Sequence, residues 1–122
     1  MKNKILVIED TSVVREEICD ILKMEGFGVF EATNGEEGVK IAKSTHLNLI
    51  ISDIIMPGMD GFEVFETLSK DNITNKIPVI FLSAKANKEA VLKGKQLGCK
   101  DYIIKPVSPD VLLNIVYNKI NV

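Results

Sequence analysis

The stretch Leu47-Asn48-Leu49-Ile50-Ile51-Ser52-Asp53-Ile54-Ile55-Met56-Pro57-Gly58 decides how this chain is read. Leu47 to Ser52 is too apolar for a strand with one wet face. It predicts a strand buried on both sides, the kind found in parallel sheets covered by helices. Pro57-Gly58 marks the turn that follows. Between strand and turn stands Asp53, a carboxylate that packing gives no reason to be there. In open α/β sheets the C-terminal strand edge is where ligands bind.

Working outward, strand and helix patterns alternate five times. Ile5 to Ile8 reads as a first strand, followed by Val14, Ile18, Ile21 and Leu22 at helical spacing, with Gly26 as the stop. Val29 to Ala32 is a second, weaker strand. Thr33 and Glu36 have the spacing of a capping box, which predicts a second helix to about Lys43. After the central strand, Asp60 and Glu63 predict the start of a third helix, with Phe62, Phe65 and Leu68 facing inward. Val79 to Leu82 is the fourth strand. A helix from about Asn87 to Leu97 has a thin apolar face of Ala90, Val91 and Leu97, and Gly94 weakens it. Tyr102 to Ile104 is the last strand. Ser108-Pro109 opens a final helix carrying Val111, Leu112, Ile115, Val116 and Ile120.

Right-handed crossovers leave few ways to arrange five such units. The expectation is a (βα)5 flavodoxin-like three-layer sandwich, an α/β fold whose parallel five-stranded sheet has the order 2-1-3-4-5. Its switch point lies between strands one and three.

The 122 residues make one domain, 1–122, large enough to bury a core without disulfides or a structural metal. A net charge of -2 gives no bulk attraction to nucleic acid or to an anionic membrane. No uninterrupted apolar run exceeds four residues, which predicts no membrane span and no signal peptide. The two cysteines, Cys19 and Cys99, read as small apolar residues near helix packing, and a reduced, cytoplasmic setting is expected. The single histidine, His46, reads as a surface loop residue and excludes a histidine-based metal site.

The chemistry gathers at the strand ends. Strand one ends in Glu9-Asp10, strand three in Asp53, strand four in Ser83 and strand five in Lys105-Pro106. In a parallel sheet these ends share one edge. Each residue alone has an ordinary explanation: a helix cap for Glu9 and Asp10, a strand-end serine, a lysine-proline turn. All of them on one edge are better explained by a single site. Three converging carboxylates repel one another, and a hard divalent cation such as Mg2+ resolves that repulsion. Aspartate is a known nucleophile toward phosphorus. A serine hydroxyl and a lysine ammonium beside it supply the positioning and charge stabilisation that phosphoryl transfer needs.

These residues closely resemble the receiver (REC, CheY-like) domain of two-component response regulators, over roughly Lys4 to Lys119. The resemblance is carried by Val7-Ile8-Glu9-Asp10, by Asp53-Ile54-Ile55-Met56-Pro57-Gly58-Met59-Asp60-Gly61, by Leu82-Ser83-Ala84 and by Asp101-Tyr102-Ile103-Ile104-Lys105-Pro106. It implies that Asp53 accepts a phosphoryl group from a histidine kinase or histidine phosphotransfer protein. It implies Mg2+ held by Glu9, Asp10, Asp53 and the Ile55 carbonyl, with Glu9 acting through water. Ser83 is then the switch hydroxyl, Lys105 the phosphate-neutralising lysine, Tyr102 the aromatic switch residue and Lys105–Pro106 a cis bond. Ile55 and Lys85 occupy the two positions that tune phosphoryl lifetime, and apolar Ile55 predicts slow self-dephosphorylation.

The expected output is a change in the surface of helix 4, strand 5 and helix 5, read by a downstream output protein or domain or by a phosphorylation-dependent homodimer. The first helix, with Val13, Val14 and Ile18, is expected to help dock the phosphoryl donor. Lys88, Lys93, Lys95 and Lys100 read as a solvated face. The chain is read as either a single-domain regulator or a receiver cut from a longer one. No external substrate turnover, direct nucleic-acid binding or membrane partner is expected. A dehalogenase-type phosphatase would need an aspartate where Ile55 stands, and a nucleotide-binding domain would need a glycine-rich phosphate loop that is missing. The remaining rival is a pseudo-receiver, an interaction module that never takes phosphate.

Overall fold

A computed structural model describes residues 2–84 and 87–120. Five strands alternate with five helices: β1 Lys4–Ile8, α1 Ser12–Met24, β2 Gly28–Ala32, α2 Gly35–Ser44, β3 Leu49–Asp53, α3 Gly61–Ser69, β4 Val79–Ser83, α4 Lys88–Gln96, β5 Tyr102–Ile104 and α5 Pro109–Ile120. The strands form one parallel sheet in the order β2-β1-β3-β4-β5. That is the expected flavodoxin-like order.

Because side chains alternate along a strand, each central strand feeds two cores. Ile5, Val7, Leu49, Ile51, Ile80, Leu82 and Ile103 pack against Ile18 and Leu22 of α1 and Leu112 and Val116 of α5. On the other face Leu6, Ile8 and Ile50 meet Val39 and Ala42 of α2 and Val64 and Leu68 of α3. Phe81 anchors a third cluster, where Phe62, Ile54 and Cys99 are joined by Ala90, Val91 and Tyr102. All five residues of β3 are buried, which is why the central run lacks any polar alternation before its end.

Several local expectations are corrected. The cap of α2 is Asn34, not Thr33: its side chain accepts from the Glu37 N–H at 2.8 Å, and Glu37 Oε1 accepts in return from the Thr33 N–H at 2.9 Å. The reciprocal logic survives, displaced by one residue, because asparagine caps as well as threonine. β3 runs from Leu49 to Asp53, so the aspartate is the strand's last residue rather than the first beyond it. Phe65 does face inward, its ring edge-on to Phe81 at 6.0 Å, but it is half-buried while its neighbour Val64 is fully buried. Leu97, just past α4, and Val111 of α5 are exposed, and Gly94 is the one buried residue of α4.

The capping box of α3 is present as read, with Asp60 accepting from Glu63 N–H and Glu63 accepting from Asp60 N–H. Gly26 follows α1 with φ at 93°, a left-handed conformation that glycine adopts without steric cost. Cys19 and Cys99 are buried and free, and burial pushes their thiols up to about 12 and about 11. His46 is exposed. Among the described residues no helix is long and apolar enough to cross a membrane.

Candidate functional site

The sheet register brings the polar strand ends together. Ile8 stands opposite Ser52, Asp53 opposite Leu82, and Ser83 opposite Ile104, so each reactive residue leaves the sheet at nearly the same level. The Lys105 N–H extends the last ladder by donating to the Ser83 carbonyl at 2.8 Å. Gly61 lets α3 start tightly beneath the Asp53 end, since a Cβ there would run into the Asp53 carbonyl oxygen and lie 3.0 Å from Ile54 Cα.

One carboxylate oxygen from each of Glu9, Asp10 and Asp53 lies within 4.8 Å of the others. Glu9 and Asp53 are buried, while Asp10 is exposed. Lys105 joins this group: its ammonium is 2.7 Å from Glu9 Oε1 and donates to Asp53 Oδ2 at 3.1 Å. The Lys105–Pro106 peptide is cis. Glu9 Oε2 accepts from the Thr11 N–H at 3.1 Å. Glu9 Oε1 is fully buried and has no hydrogen bond of good angle, so the ammonium holds it by charge rather than by a directed bond.

Burial pushes the Glu9 carboxyl above the usual carboxylate range. Lys105 and the Thr11 N–H pull it back only in part, and the negative charge of Asp53 adds to the rise. Lys105 faces the opposite balance. Burial disfavours its charge, but the two carboxylates of Glu9 and Asp53 beside it outweigh that and hold its pKa above the ordinary value, so the ammonium stays protonated.

Ser83 is wholly buried at the next strand end, its hydroxyl donating to the Ala84 carbonyl at 3.0 Å. Tyr102 turns away from the carboxylates. Its ring packs on Phe81 at 5.6 Å, and its hydroxyl reaches the Val91 carbonyl of α4 at 3.4 Å. Burial pushes its phenol up to about 12. The Ile55 side chain is 57% exposed in the loop after β3. Lys85 lies outside the described residues.

The sequence reading missed Arg15 on α1. Its Nη1 donates to the Glu9 carbonyl at 2.8 Å and its Nε to Glu31 Oε1 on β2 at 3.2 Å. An arginine at an unremarkable helical position carries no local signal of such a role. Gly94 is more than a weak point of α4. In the fold a Cβ at Gly94 would overlap the Tyr102 hydroxyl and the Phe62 ring, whose Cζ would be 2.6 Å away.

The donor set suits a hard divalent cation: oxygen ligands only, and beside them Glu9 Oε1, buried without a directed hydrogen bond. Lys105 lies across two of the carboxylates and offsets only part of their charge, and a divalent cation would offset the rest.

Comparison with known proteins agrees with this arrangement. The profile of the response regulator receiver domain matches residues 5–117. The chain is 40% identical over 120 residues to the probable transcriptional regulator ycf29 of Pyropia yezoensis, a match covering 98% of this chain and 54% of that protein. The chain therefore spans about half the length of that relative. A putative response regulator from Chloroflexus aurantiacus has the same structure over all of both chains, with a TM-score of 0.93 and 26% identity. The receiver domain of the sensor histidine kinase PA1611 from Pseudomonas aeruginosa, which carries a magnesium ion in its active-site cleft, matches with a TM-score of 0.92 and 25% identity over all of both chains. With the strand order, the acidic cluster and the lysine all in place, the chain belongs to the response regulator receiver domain family.

Proposed function

We propose that this receiver is a phosphorylation-activated switch, with Asp53 as the phosphoryl acceptor. The observation that carries the reading is the convergence of Glu9, Asp10 and Asp53 within 4.8 Å, with the Lys105 ammonium placed across two of them. Glu9, Asp10, Asp53 and the Ile55 carbonyl are the residues that would hold Mg2+. When bound, the cation offsets the charge of the carboxylates and of the incoming phosphoryl oxygens.

In the proposed transfer, an Asp53 carboxylate oxygen attacks the phosphorus of a phosphohistidine donor on a histidine kinase or histidine phosphotransfer protein. A P–O bond forms and the donor's P–N bond breaks. The imidazole leaves with that electron pair and takes up a proton. Lys105, already bonded to Asp53, neutralises charge on the transferred group, and Ser83 rotates its hydroxyl from Ala84 to a phosphoryl oxygen. The phosphoryl group brings about two negative charges in place of the one on the free carboxylate, so the site gains about one. Movement of Ser83 frees space toward Tyr102, and inward rotation of that ring reshapes α4, β5 and α5. A coupling of about 1–3 kcal/mol suffices to make a partner sense the change. That partner is a downstream output protein or domain, or a second copy, in a cytoplasmic pathway.

The test is intact mass after incubation with acetyl phosphate. One phosphoryl group is expected to appear with Mg2+ and not with the metal removed, and none on Asp53→Ala. Labelling that survives in Asp53→Ala would overturn the assignment. The exposed Ile55 carries no polar group to orient an attacking water. The acyl phosphate is therefore expected to outlast that of an Ile55→Glu or Ile55→Asn variant severalfold, measured as loss of the mass adduct with Mg2+ present. Decay within seconds in the unaltered protein would remove that role from Ile55.

A further inference from the structure

We infer that Arg15 is a positioning residue that sets the geometry of the acidic pair through the backbone between Glu9 and Asp10. The inference rests on the reading of Glu9, Asp10 and Asp53 as the cation site.

β1 ends at Ile8, so the peptide groups beyond it have left the regular ladder. The Glu9 N–H still has a strand partner, the Ala32 carbonyl at 3.1 Å. The Glu9 carbonyl has Arg15 Nη1 at 2.8 Å. With both ends of Glu9 tied, the peptide plane joining it to Asp10 is held, and that plane places the Asp10 nitrogen and Cα from which its side chain leaves the backbone. Asp10 needs this more than its neighbours. Glu9 and Asp53 are held by burial and by Lys105, whereas the Asp10 side chain is exposed.

Arginine suits the task because its planar fork makes bonds in fixed directions. Nη1 serves the Glu9 carbonyl and Nε pairs with Glu31 of β2, so the guanidinium is held from both sides. The side chain is 14% exposed, compared with 41% for Glu31, so most of the clamp is shielded from water. The Arg15 N–H also donates to the Thr11 carbonyl at 3.0 Å in the first turn of α1, and Thr11 N–H donates to Glu9 Oε2. Glu9, Asp10 and the start of α1 are thereby one hydrogen-bonded unit, and the arginine closes it. Groups that orient ligands from behind typically alter metal affinity by about 10- to 100-fold when removed.

The experiment is a titration with Mg2+ alone, followed by backbone amide shifts in the unphosphorylated protein. Arg15→Ala is expected to bind Mg2+ about tenfold more weakly and to shift the Glu9 and Asp10 amides before any metal is added. Arg15→Lys keeps one donor and is expected to recover part of the affinity. Glu31→Gln loosens the ion pair but leaves the bond to Glu9, and is expected to bind Mg2+ within about twofold of the unaltered protein. Absence of Mg2+ binding in the unaltered chain would sink the cation site itself. Normal binding there with equal affinity in Arg15→Ala would sink the role of Arg15 alone. An equal loss in Arg15→Ala and Glu31→Gln would also overturn it, by showing that the clamp between α1 and β2 matters rather than the Glu9 carbonyl.

Discussion

Lys105→Met is expected to lower the melting temperature of the metal-free protein by about 10 °C, and saturating Mg2+ is expected to recover more of that loss than it adds to the unaltered chain. The ammonium sits 2.7 Å from Glu9 Oε1 and 3.1 Å from Asp53 Oδ2, both on buried side chains. Methionine keeps the packing of the lysine stem and removes only the charge. Two carboxylates then face each other and Asp10 with no cation. Like charges about 4 Å apart repel by roughly 4 kcal/mol at the effective dielectric near a protein surface, and breaking a buried pair costs about 3–5 kcal/mol. Protonation of Glu9 relieves part of this, which leaves about 3 kcal/mol, or about 10 °C for a domain of this size. Glu9→Gln combined with Lys105→Met removes the stranded charge and is expected to restore most of the stability.

The same argument fixes a pH dependence. Burial raises the Glu9 carboxyl in the folded state, and loss of Lys105 raises it further. Between its unfolded and folded pKa values the native protein holds a proton that the unfolded chain has released. The stability of metal-free Lys105→Met therefore falls as pH rises through that window and is flat above it. Thermal melts across that range, with and without Mg2+, check both claims. A variant as stable as the parent in chelator would show that the lysine does not offset carboxylate repulsion.

Much of this site was legible in the sequence because a parallel sheet converts strand order into spatial order. Once Leu47 to Ser52 is read as a buried central strand with Asp53 at its end, Glu9, Asp10, Ser83 and Lys105 fall on the same edge without any knowledge of side-chain positions. Burial on both faces also made the strands conspicuous, since β1, β3 and β4 have no polar alternation to confuse with helical spacing. The misreadings came where two residues compete for one job. Thr33 and Asn34 both suit a helix cap, and only the path of the chain selects Asn34. Val111 and Leu97 have helical spacing from buried neighbours, yet both are exposed. Arg15 was invisible because its partner is a backbone carbonyl, which every residue possesses.

Gly94 shows the same gap between pattern and packing, and it yields the second large effect. Gly94→Ala is expected to push the Tyr102 ring out of its seat in the unphosphorylated protein. An added Cβ would overlap both the Tyr102 hydroxyl and the Phe62 ring, so one of them gives way. Phe62 is 7% exposed and its ring packs at a tilt on Phe81 at 5.3 Å. Tyr102 lies at the rim, and its hydroxyl has only a long bond to the Val91 carbonyl at 3.4 Å. Tyr102 therefore moves. The methyl improves helix propensity by about 1 kcal/mol, which offsets much of the overpacking cost, so the variant stays folded.

The chain has no tryptophan and two tyrosines, so Tyr117→Phe makes Tyr102 the sole fluorescent reporter. In that background the phenol should ionise at about 12 with Gly94 and near the ordinary 10 with alanine, read by ultraviolet absorbance. Iodide quenching should rise severalfold in parallel. The sign for stability follows. A phenol whose folded value is raised contributes stability that is complete below pH 10 and is lost as pH climbs to about 12, so across that window the parent loses more stability than the alanine variant, in which the two buried thiols still contribute. An unchanged phenol in a folded Gly94→Ala protein would mean that α4 yields instead of the ring, and Gly94 would not be what seats Tyr102.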